Sequence, residues 1–398
     1  MYCWANASWR SGASLVCTTW NRRARKRLDC IASVHRVEYA LKLQRLRESG
    51  MFNPHDVRHL AATLHWLNAH EDQKITATML REIFQNNPSC LRDVHIETQN
   101  DQDDPELADF LAGSSNLVEL SISHSWGTRP LHDDDDYHLL GTEYDVSSDD
   151  SNYYEDYRTD TLATGPPLLQ RTLTSLPKLK HLFLERFDVS EAIPEQACPF
   201  GLEQLSLEDS RVSSQLLKWL LPPPSRLSGL SLVNPQNVTR DDLFAIFSVH
   251  GRHLTTLILA FPWTMLPENL APYQLPPAPP STLVGAANEI LPLCPKLEVL
   301  SLEDSSLDVK TFPCMPSLKE LYLNLCRLAD YEEIPIPAKL PRLKIFELYI
   351  ASAERRENLE EFWLAMKGLG IEGHAGASLP ARYRLRPDLR WNIPEPTV

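Results

Sequence analysis

Two histidines have the spacing of a metal-binding pair. His55 and His59 are four residues apart and would lie on one face of a helix predicted over 54–69, where two imidazoles could bind one metal ion. No third ligand is evident in the sequence around them, and a protein metal site needs more ligands than two. We therefore predict an ordinary exposed pair and no bound metal.

Three glycines near the C-terminus have the spacing of a dinucleotide-binding loop. Gly368, Gly370 and Gly373 spell G-x-G-x-x-G, a loop that must follow a strand and open a helix. These glycines instead follow the amphipathic pattern 354–368, so we expect them to end a helix with positive φ. The sequence contains no G-x-x-x-x-G-K-[ST], H-E-x-x-H or G-x-S-x-G motif. No cofactor is expected, and the sequence favours a protein that is not an enzyme.

The cysteines and the first residues bear on location. The eight cysteines never form a C-x-x-C pair, and the opening MYCWANASWRSGASL lacks the basic start and unbroken apolar stretch of a signal peptide. No apolar run reaches the roughly 18 residues of a membrane-spanning helix. We predict a cytoplasmic and/or nuclear protein without a membrane partner, with reduced thiols packed as small apolar groups.

Charge is spread unevenly along the 398 residues. The formal net charge is −14, and the segment 133–160 holds eleven acids against Arg158, a balance of −10. Residues 1–50 hold ten bases against three acids, a balance of +7. Such blocks are typical of interaction tails and solvated loops, and the overall acidity argues against a general nucleic-acid binder, which would carry a basic face. Ser147 and Ser148 precede two aspartates and are candidates for acid-directed phosphorylation; the alternative is an unmodified loop.

The elements that would position any site follow from a repeat. The pattern L-x-x-L-x-L, with other apolar residues allowed, occurs nine times, and six of the eight spacings lie within a period of about 20–29 residues. Alternate strand residues point to opposite faces, so the last two apolar residues of each copy face a core that one repeat cannot bury alone. Neighbouring repeats must therefore stack. The copies start at Leu91, Leu117, Leu179, Leu202, Leu227, Leu254, Leu297, Leu318 and Leu343.

This pattern resembles the leucine-rich-repeat family over about 91–350. The resemblance implies an α/β solenoid in which a curved parallel sheet carries helices on its convex side. We predict helices between the strands at 105–112, 213–221 and 239–250, the last of them capped by Thr239 or Asp241.

The remaining segments flank or interrupt the repeats. Residues 33–88 are predicted to form a helical linker or N-terminal cap, with helices at 39–48, 54–69 and 76–86. Within the repeats at 89–350, the acidic insertion 124–168 is expected to be disordered and the insertion 262–281 to be Pro-rich and extended. Residues 351–398 are predicted to form a C-terminal cap that begins with the amphipathic helix.

Residues 1–32 are predicted to form a partial F-box-like helical segment, because a short motif within them resembles the second half of an F-box. Residues 14–28 read SLVCTTWNRRARKRL, with a V-C-x-x-W helix, a basic stretch and a closing leucine; the L-P-x-E helix that opens an F-box is missing. In that family the motif binds a Skp-type adaptor of a cullin ubiquitin ligase, and leucine-rich repeats after it hold the substrate. The matching positions, which the resemblance makes adaptor-binding, are Leu15, Val16, Cys17, Trp20 and Leu28.

Two alternatives attach to this segment. The apolar positions could instead form an amphipathic helix that packs on the rest of the N-terminal domain. The basic run 22–27 could be a nuclear-import signal or a phosphate-binding patch, or it could be the solvated face of a helix.

Strand positions that face away from the core predict a binding surface on the concave face. Three glutamates share one repeat position, Glu185, Glu208 and Glu303, and are expected to align as an acidic ridge that prefers a basic partner. Exposed aromatic side chains beside the ridge could anchor an interface. The alternative is that these positions are polar only for solubility. The predicted partner-binding residues are His181, Phe183, Glu185, Glu208, Glu303, Tyr322, Glu347 and Tyr349.

Together these patterns predict a non-catalytic protein-interaction module. The favoured interpretation is an F-box-like substrate-recognition subunit of a cullin-type ubiquitin ligase, which binds a protein target through its concave face. Two alternatives stay open: a leucine-rich-repeat scaffold without a ubiquitin role, and an acidic-surface inhibitor or regulator of another enzyme.

Overall fold

The computed structural model of the protein describes fourteen segments of the chain. Several predictions concern residues outside these segments and stay untested. The segment with Leu15, Val16, Cys17, Trp20 and Leu28, the Pro-rich insertion and most of the acidic insertion and of the C-terminal cap lie outside the described residues. These are 31–64, 75–85, 87–98, 105–124, 163–164, 172–188, 197–223, 226–235, 237–260, 286–303, 309–325, 340–350, 367–368 and 370–376.

Twelve strands form one sheet in which every paired neighbour is parallel. Nine of them begin two residues after the predicted repeat starts, so the repeat prediction is confirmed. In sheet order the strands are β1 Ile31–Val34, β2 His59–Leu64, β3 Asp93–Thr98, β4 Glu119–His124, β6 His181–Glu185, β8 Gln204–Glu208, β9 Gly229–Val233, β10 Thr256–Ala260, β11 Val299–Glu303, β12 Glu320–Leu325, β13 Ile345–Ile350 and β14 Glu372–Gly376.

The leucine rows form the core on one side of this sheet. Leu205 and Leu207 of β8 pair in register with Leu230 and Leu232 of β9, and all four side chains are fully buried. The same two positions are apolar from strand to strand, so the buried rows are continuous across the sheet. Burying one leucine side chain contributes about 1.5–3 kcal/mol. The chain therefore folds as an α/β leucine-rich-repeat solenoid, as the sequence predicts.

Helices pack on the core side between the strands. The helices predicted at 105–112, 213–221 and 239–250 are present, and so are those predicted at 39–48 and 76–86. Thr239 rather than Asp241 caps the long helix, in a reciprocal capping box with Asp242. The helices are α1 Val37–Glu48, α2 Ala77–Ile83, α3 Pro105–Ala112, α4 Ser214–Leu220, α5 Arg240–His250 and α6 Ala286–Ile290.

The prediction of a helix over 54–69 is wrong for residues 54–64, the part of this stretch that the structure describes. A 3-10 turn at Pro54–Asp56 leads directly into β2. Val57, Leu60 and Ala62 are buried at the spacing of the repeat, because they occupy the positions that leucines occupy elsewhere. Residues 33–88 therefore extend the sheet by strands as well as carrying helices. His55 and His59 therefore do not lie on one helix face, since His59 lies in a strand.

Smaller corrections apply at the insertion and at the C-terminus. The predicted disorder of 124–168 is wrong at two places. His124 ends β4, and Ala163–Thr164 form a short strand, β5, which pairs in parallel with β7, Phe187–Asp188. Gly370 has the predicted positive φ of 74°. Gly373 instead lies within β14, whose register aligns it with Phe346, so the glycine motif leads into a strand and not into a helix. No described helix is long and apolar enough to span a bilayer.

Candidate functional site

The register places three rows of residues on the sheet face opposite the leucine core, which we call the open face. The first, third and fifth residues of each strand occupy these rows. The first row runs Ile31, His59, Asp93, Glu119, His181, Gln204, Gly229, Thr256, Val299, Glu320, Ile345 and Glu372. The middle row runs Ser33, Ala61, His95, Ser121, Phe183, Ser206, Ser231, Ile258, Ser301, Tyr322, Glu347 and His374.

Histidines and acids pair across neighbouring strands at the β2 to β6 end of the open face. Nδ1 of His59 contacts Oδ2 of Asp93, and Nδ1 of His181 lies 3.1 Å from Oε2 of Glu119. The side chains of the first pair are about 30% exposed, at 31% and 28%. These groups can therefore meet a partner as hydrogen-bond donors and acceptors. The sequence predicted His59 to be one of an ordinary exposed pair with His55, and it gave no role to Asp93.

A polar chain at the β1 edge fixes the orientation of one imidazole. Nδ1 of His35 lies 2.8 Å from Oγ1 of Thr63, and that hydroxyl donates to Oε2 of Glu97 at 3.3 Å. Because the hydroxyl has one proton to give, its oxygen accepts from the Nδ1–H of His35. Burial lowers the pKa of His35 below its ordinary value, and the charge of Glu97 offsets only part of this effect. The neutral imidazole is therefore favoured at neutral pH.

The predicted acidic ridge is interrupted. Glu185 and Glu208 are adjacent in the third row, but Val233 and Ala260 separate them from Glu303. Arg186 partly offsets the acidic charge, with Nη2 lying 3.8 Å from Oε1 of Glu185. The glutamates share a repeat position, as predicted, yet no continuous acidic surface joins the first two to the third, because apolar residues occupy the intervening strands.

The expected exposure of several site residues is wrong. Phe183, Glu208, Tyr322 and Glu347 are buried, with 4–8% of their surface exposed. Strands lie about 4.8 Å apart, so a side chain on the open face is flanked closely by its neighbours in both adjacent strands. Position on the open face was therefore predicted correctly from the repeat, but accessibility was not. Whether these residues, His181 and Tyr349 bind a partner stays a prediction.

The turns after three consecutive strands share an unusual backbone conformation. Arg186, Asp209 and Asn234 follow β6, β8 and β9 with φ of 63°, 48° and 46°. The amide of each donates to the carbonyl of the residue that ends the next strand, at 2.7–2.8 Å. Left-handed backbone costs a non-glycine residue about 1–2 kcal/mol, which these bonds offset. Nδ2 of Asn234 also donates to Oδ1 of Asp209 at 2.9 Å.

Three of the four described cysteines, Cys90, Cys198 and Cys294, are poorly suited to nucleophilic chemistry. Burial raises the pKa of Cys198 to about 11 and that of Cys294 to about 12. Burial also raises the pKa of Cys90. A thiol with a raised pKa holds little of the reactive thiolate near neutral pH. Within the described residues, no three histidine, cysteine or acidic side chains are grouped to hold a metal ion.

Comparisons with known proteins add little to this geometry. No protein-family model matches the chain, and no curated protein matches it. One similar solved structure is the leucine-rich-repeat-containing protein LegL7 from Legionella pneumophila, at 14% identity and a TM-score of 0.33, with 80% of this chain and 81% of that chain covered. So low a TM-score carries no argument. The fold assignment rests on the strand register and the buried leucine rows.

Proposed function

We propose that the protein is a non-catalytic receptor that binds a protein target on its open face. One observation carries this proposal: a twelve-stranded parallel sheet aligns the same strand positions into rows. Aligned rows present hydrogen-bonding groups at regular intervals over a length that a protein partner can follow. One accessible part of this surface is the histidine–acid end, around His59, Asp93 and Glu97, where polar groups already pair across strands.

The target-binding part of the proposal can be tested by site-specific photo-crosslinking in cells. A photoreactive phenylalanine analogue placed at Glu97 should give covalent adducts with a partner protein. The matched control is the same analogue at Phe244, which is 49% exposed on α5, away from the open face. Adducts at position 97 and none at 244 support the proposal. Adducts at 244 alone, or equally at both positions, would refute an open-face receptor.

The finer part of the proposal is that residues 15–28 hold a Skp-type adaptor and so connect the target to a cullin ubiquitin ligase. Its support is the resemblance at Leu15, Val16, Cys17, Trp20 and Leu28, together with the position of this segment before the repeats. The repeats would then act by placing a target near the ligase, which is a positional mechanism and needs no catalytic residue in this chain.

Affinity purification tests the ligase role separately. The tagged protein should recover the Skp adaptor and cullin, and a Val16→Asp, Trp20→Ala variant should lose both. A Thr19→Ala variant in the same segment should retain them. Recovery of neither partner by the unaltered chain would favour the scaffold alternative. Retention of both partners by the Val16→Asp, Trp20→Ala variant would show that this segment is not the adaptor site.

A further inference from the structure

The strands of the sheet all begin at the same edge, which we call the amino edge. The residue just before nine of the twelve strands donates its amide to the neighbouring repeat: the amides of Arg92 and Asp93 both donate to the carbonyl of Arg58, at 2.8 and 3.0 Å. The amides of Lys180 and His181 bond the carbonyl of Val118 in the same way. This ladder fixes the spacing of the side chains that project at the amino edge.

Cations are concentrated along the amino edge, although the whole chain has a net charge of −14. Two of the carboxylates there are already paired: Glu203 with Lys180 at 2.7 Å and Glu298 with Lys319 at 2.8 Å. A third, Asp56, accepts a hydrogen bond from Nδ2 of Asn53 at 3.2 Å. The cationic and histidine residues of this edge include Arg58, Arg92, Lys178, Lys180, Arg226, His253, Lys296, Lys319, Arg342 and Lys344.

Several cations of this edge lie close enough to His253 to affect its pKa. Desolvation and then the neighbouring cations Arg252, Lys296 and Arg226 lower the pKa of His253 below its ordinary value. A positive potential disfavours adding a proton to the imidazole. Positive charge therefore extends over several repeats and is not confined to a single side chain.

At the β2 to β6 end the amino edge has an open pocket of about 540 Å³. No carboxylate is among the residues that line it, whereas three are permanent cations. Ligand sites commonly have volumes of about 300–1,000 Å³, so the pocket has room for a charged group and adjoining atoms. The lining residues are His55, Arg58, Ser89, Cys90, Arg92, Asn116, Val118 and Lys178.

Neutral groups hold two of these cations in place without neutralising them. Nη1 of Arg58 donates to the carbonyls of His55 at 2.7 Å and of Val57 and Cys90 at 3.2 Å. Nζ of Lys178 donates to Oδ1 of Asn116 at 2.5 Å, and Nδ2 of the same asparagine donates to the carbonyl of Ser89 at 2.7 Å. Carbonyl oxygens carry only partial charge, so the full positive charges remain available to a ligand.

The third cation has no such anchor. Arg92 is exposed, and its guanidinium makes no hydrogen bond or ion pair to another side chain within the described segments. A guanidinium offers a planar set of N–H donors that matches two oxygens of one phosphate or carboxylate. Arg92 is therefore placed to complete the coordination of an anion that the two anchored cations attract.

We propose that this pocket binds the phosphoryl group of a phosphorylated serine or threonine in a protein partner. The inference rests on the proposed protein-binding function and names the chemistry of the partner. A phosphoryl group carries about −1.5 to −2 charges at neutral pH and three acceptor oxygens, which suits three cations better than the single charge of a carboxylate. The open pocket admits a side chain that is attached to a peptide.

Fluorescence anisotropy of the full chain with a labelled peptide tests this proposal. The probe is a glycine–serine peptide with one central phosphoserine, and its unphosphorylated form is the reference. The phosphopeptide should bind more tightly, and inorganic phosphate should compete with it. An Arg92→Gln, Lys178→Gln variant should weaken binding by about tenfold or more, because two charge-assisted contacts are lost.

A matched variant separates the pocket from the general charge of the edge. Arg342→Gln, Lys344→Gln removes two exposed cations at the equivalent positions before β13, outside the pocket, and should leave binding unchanged. Equal binding of the two peptides, or equal losses in the two variants, would overturn the proposal. Tighter binding of a single-stranded oligonucleotide that both variants weaken alike would assign the edge to nucleic acid instead. Since the assay does not involve the open face, its failure would leave the crosslinking result at Glu97 intact.

Discussion

Replacing Asp242 by asparagine should destabilise the protein, because this carboxylate joins two repeats. Its Oδ2 accepts hydrogen bonds from the amide of Thr239 at 3.0 Å, from Oγ1 of Thr239 at 2.6 Å and from Oγ of Ser214 at 2.7 Å. Thr239 caps α5, whereas Ser214 is the first residue of α4. The side chain is buried, with 8% of its surface exposed, so few water molecules can replace lost bonds.

Comparison with the neighbouring Asp241 gives the size of the expected loss in unfolding free energy. Both aspartates lie in the first turn of α5, where a negative charge contributes about 0.3–1 kcal/mol through the helix dipole. Asparagine at either position loses this contribution. Only at Asp242 are charge-assisted hydrogen bonds weakened as well, which are worth about 1.5–3 kcal/mol each and are not additive. We expect the free energy of unfolding to fall by about 2–3 kcal/mol for Asp242→Asn and by less than 1 kcal/mol for Asp241→Asn.

Equilibrium urea unfolding across a pH series provides the assay. Burial opposes the charge of Asp242, but hydrogen bonds from Thr239 and Ser214 outweigh it and lower the pKa of the carboxyl below its ordinary value of 3.8. A lowered folded-state pKa stabilises the fold above the unfolded-state pKa, and this stabilisation is lost as pH falls through the folded-state pKa. The gap between the unaltered protein and Asp242→Asn should therefore be constant near neutral pH and narrow below about pH 4.

Two results would refute this reasoning. If Asp241→Asn and Asp242→Asn lowered the unfolding free energy equally, the helix dipole alone would account for the effect. If the gap for Asp242→Asn did not narrow in acid, the ionised carboxylate would not be the source of the stability.

Two further predictions concern the packing between repeats and the reactivity of the thiols. Gly251→Ala should lower stability by about 1–3 kcal/mol, because a Cβ there would lie 2.7 Å from the carbonyl oxygen of Leu293; Gly201→Ala, with nothing within 4 Å of its Cβ, is the control, and equal melting temperatures would contradict the close approach. In the folded protein the exposed Cys314 should react with a disulfide reagent well before Cys294, which is buried and has a pKa of about 12. Modification of both thiols at the same rate would contradict the burial of Cys294.

The sequence predicted the sheet wherever leucine itself marks the repeat. It missed β1, β2 and β14, where residues smaller than leucine stand in the core rows. In β2 the row position is held by Ala62, and in β14 it is held by Gly373 and Ala375. A pattern that accepts valine at the first position and alanine at the last, V-x-x-L-x-A, matches VRHLAA from Val57. Its partner β1 begins at Ile31, with no recognised repeat before it.

The site was less predictable than the fold, because accessibility depends on neighbours that are distant in sequence. Tyr322 is buried, and its hydroxyl donates to Oε2 of Glu320 at 2.9 Å; its strand neighbours Ser301 and Glu347 come from other repeats. The pocket at the amino edge was missed for the same reason. Arg58, Arg92 and Lys178 are separated by up to 120 positions, and only the register brings them together.

A common strand direction gives the two long edges of the sheet different chemical characters. One edge carries the cations that precede the strands, and the opposite edge carries the left-handed turns at Arg186, Asp209 and Asn234. A peptide that crosses the open face from edge to edge can therefore be distinguished from the same peptide lying in reverse. Recognition would then depend on the order of groups along the partner as well as on their identity, which is a vectorial property that no single repeat possesses.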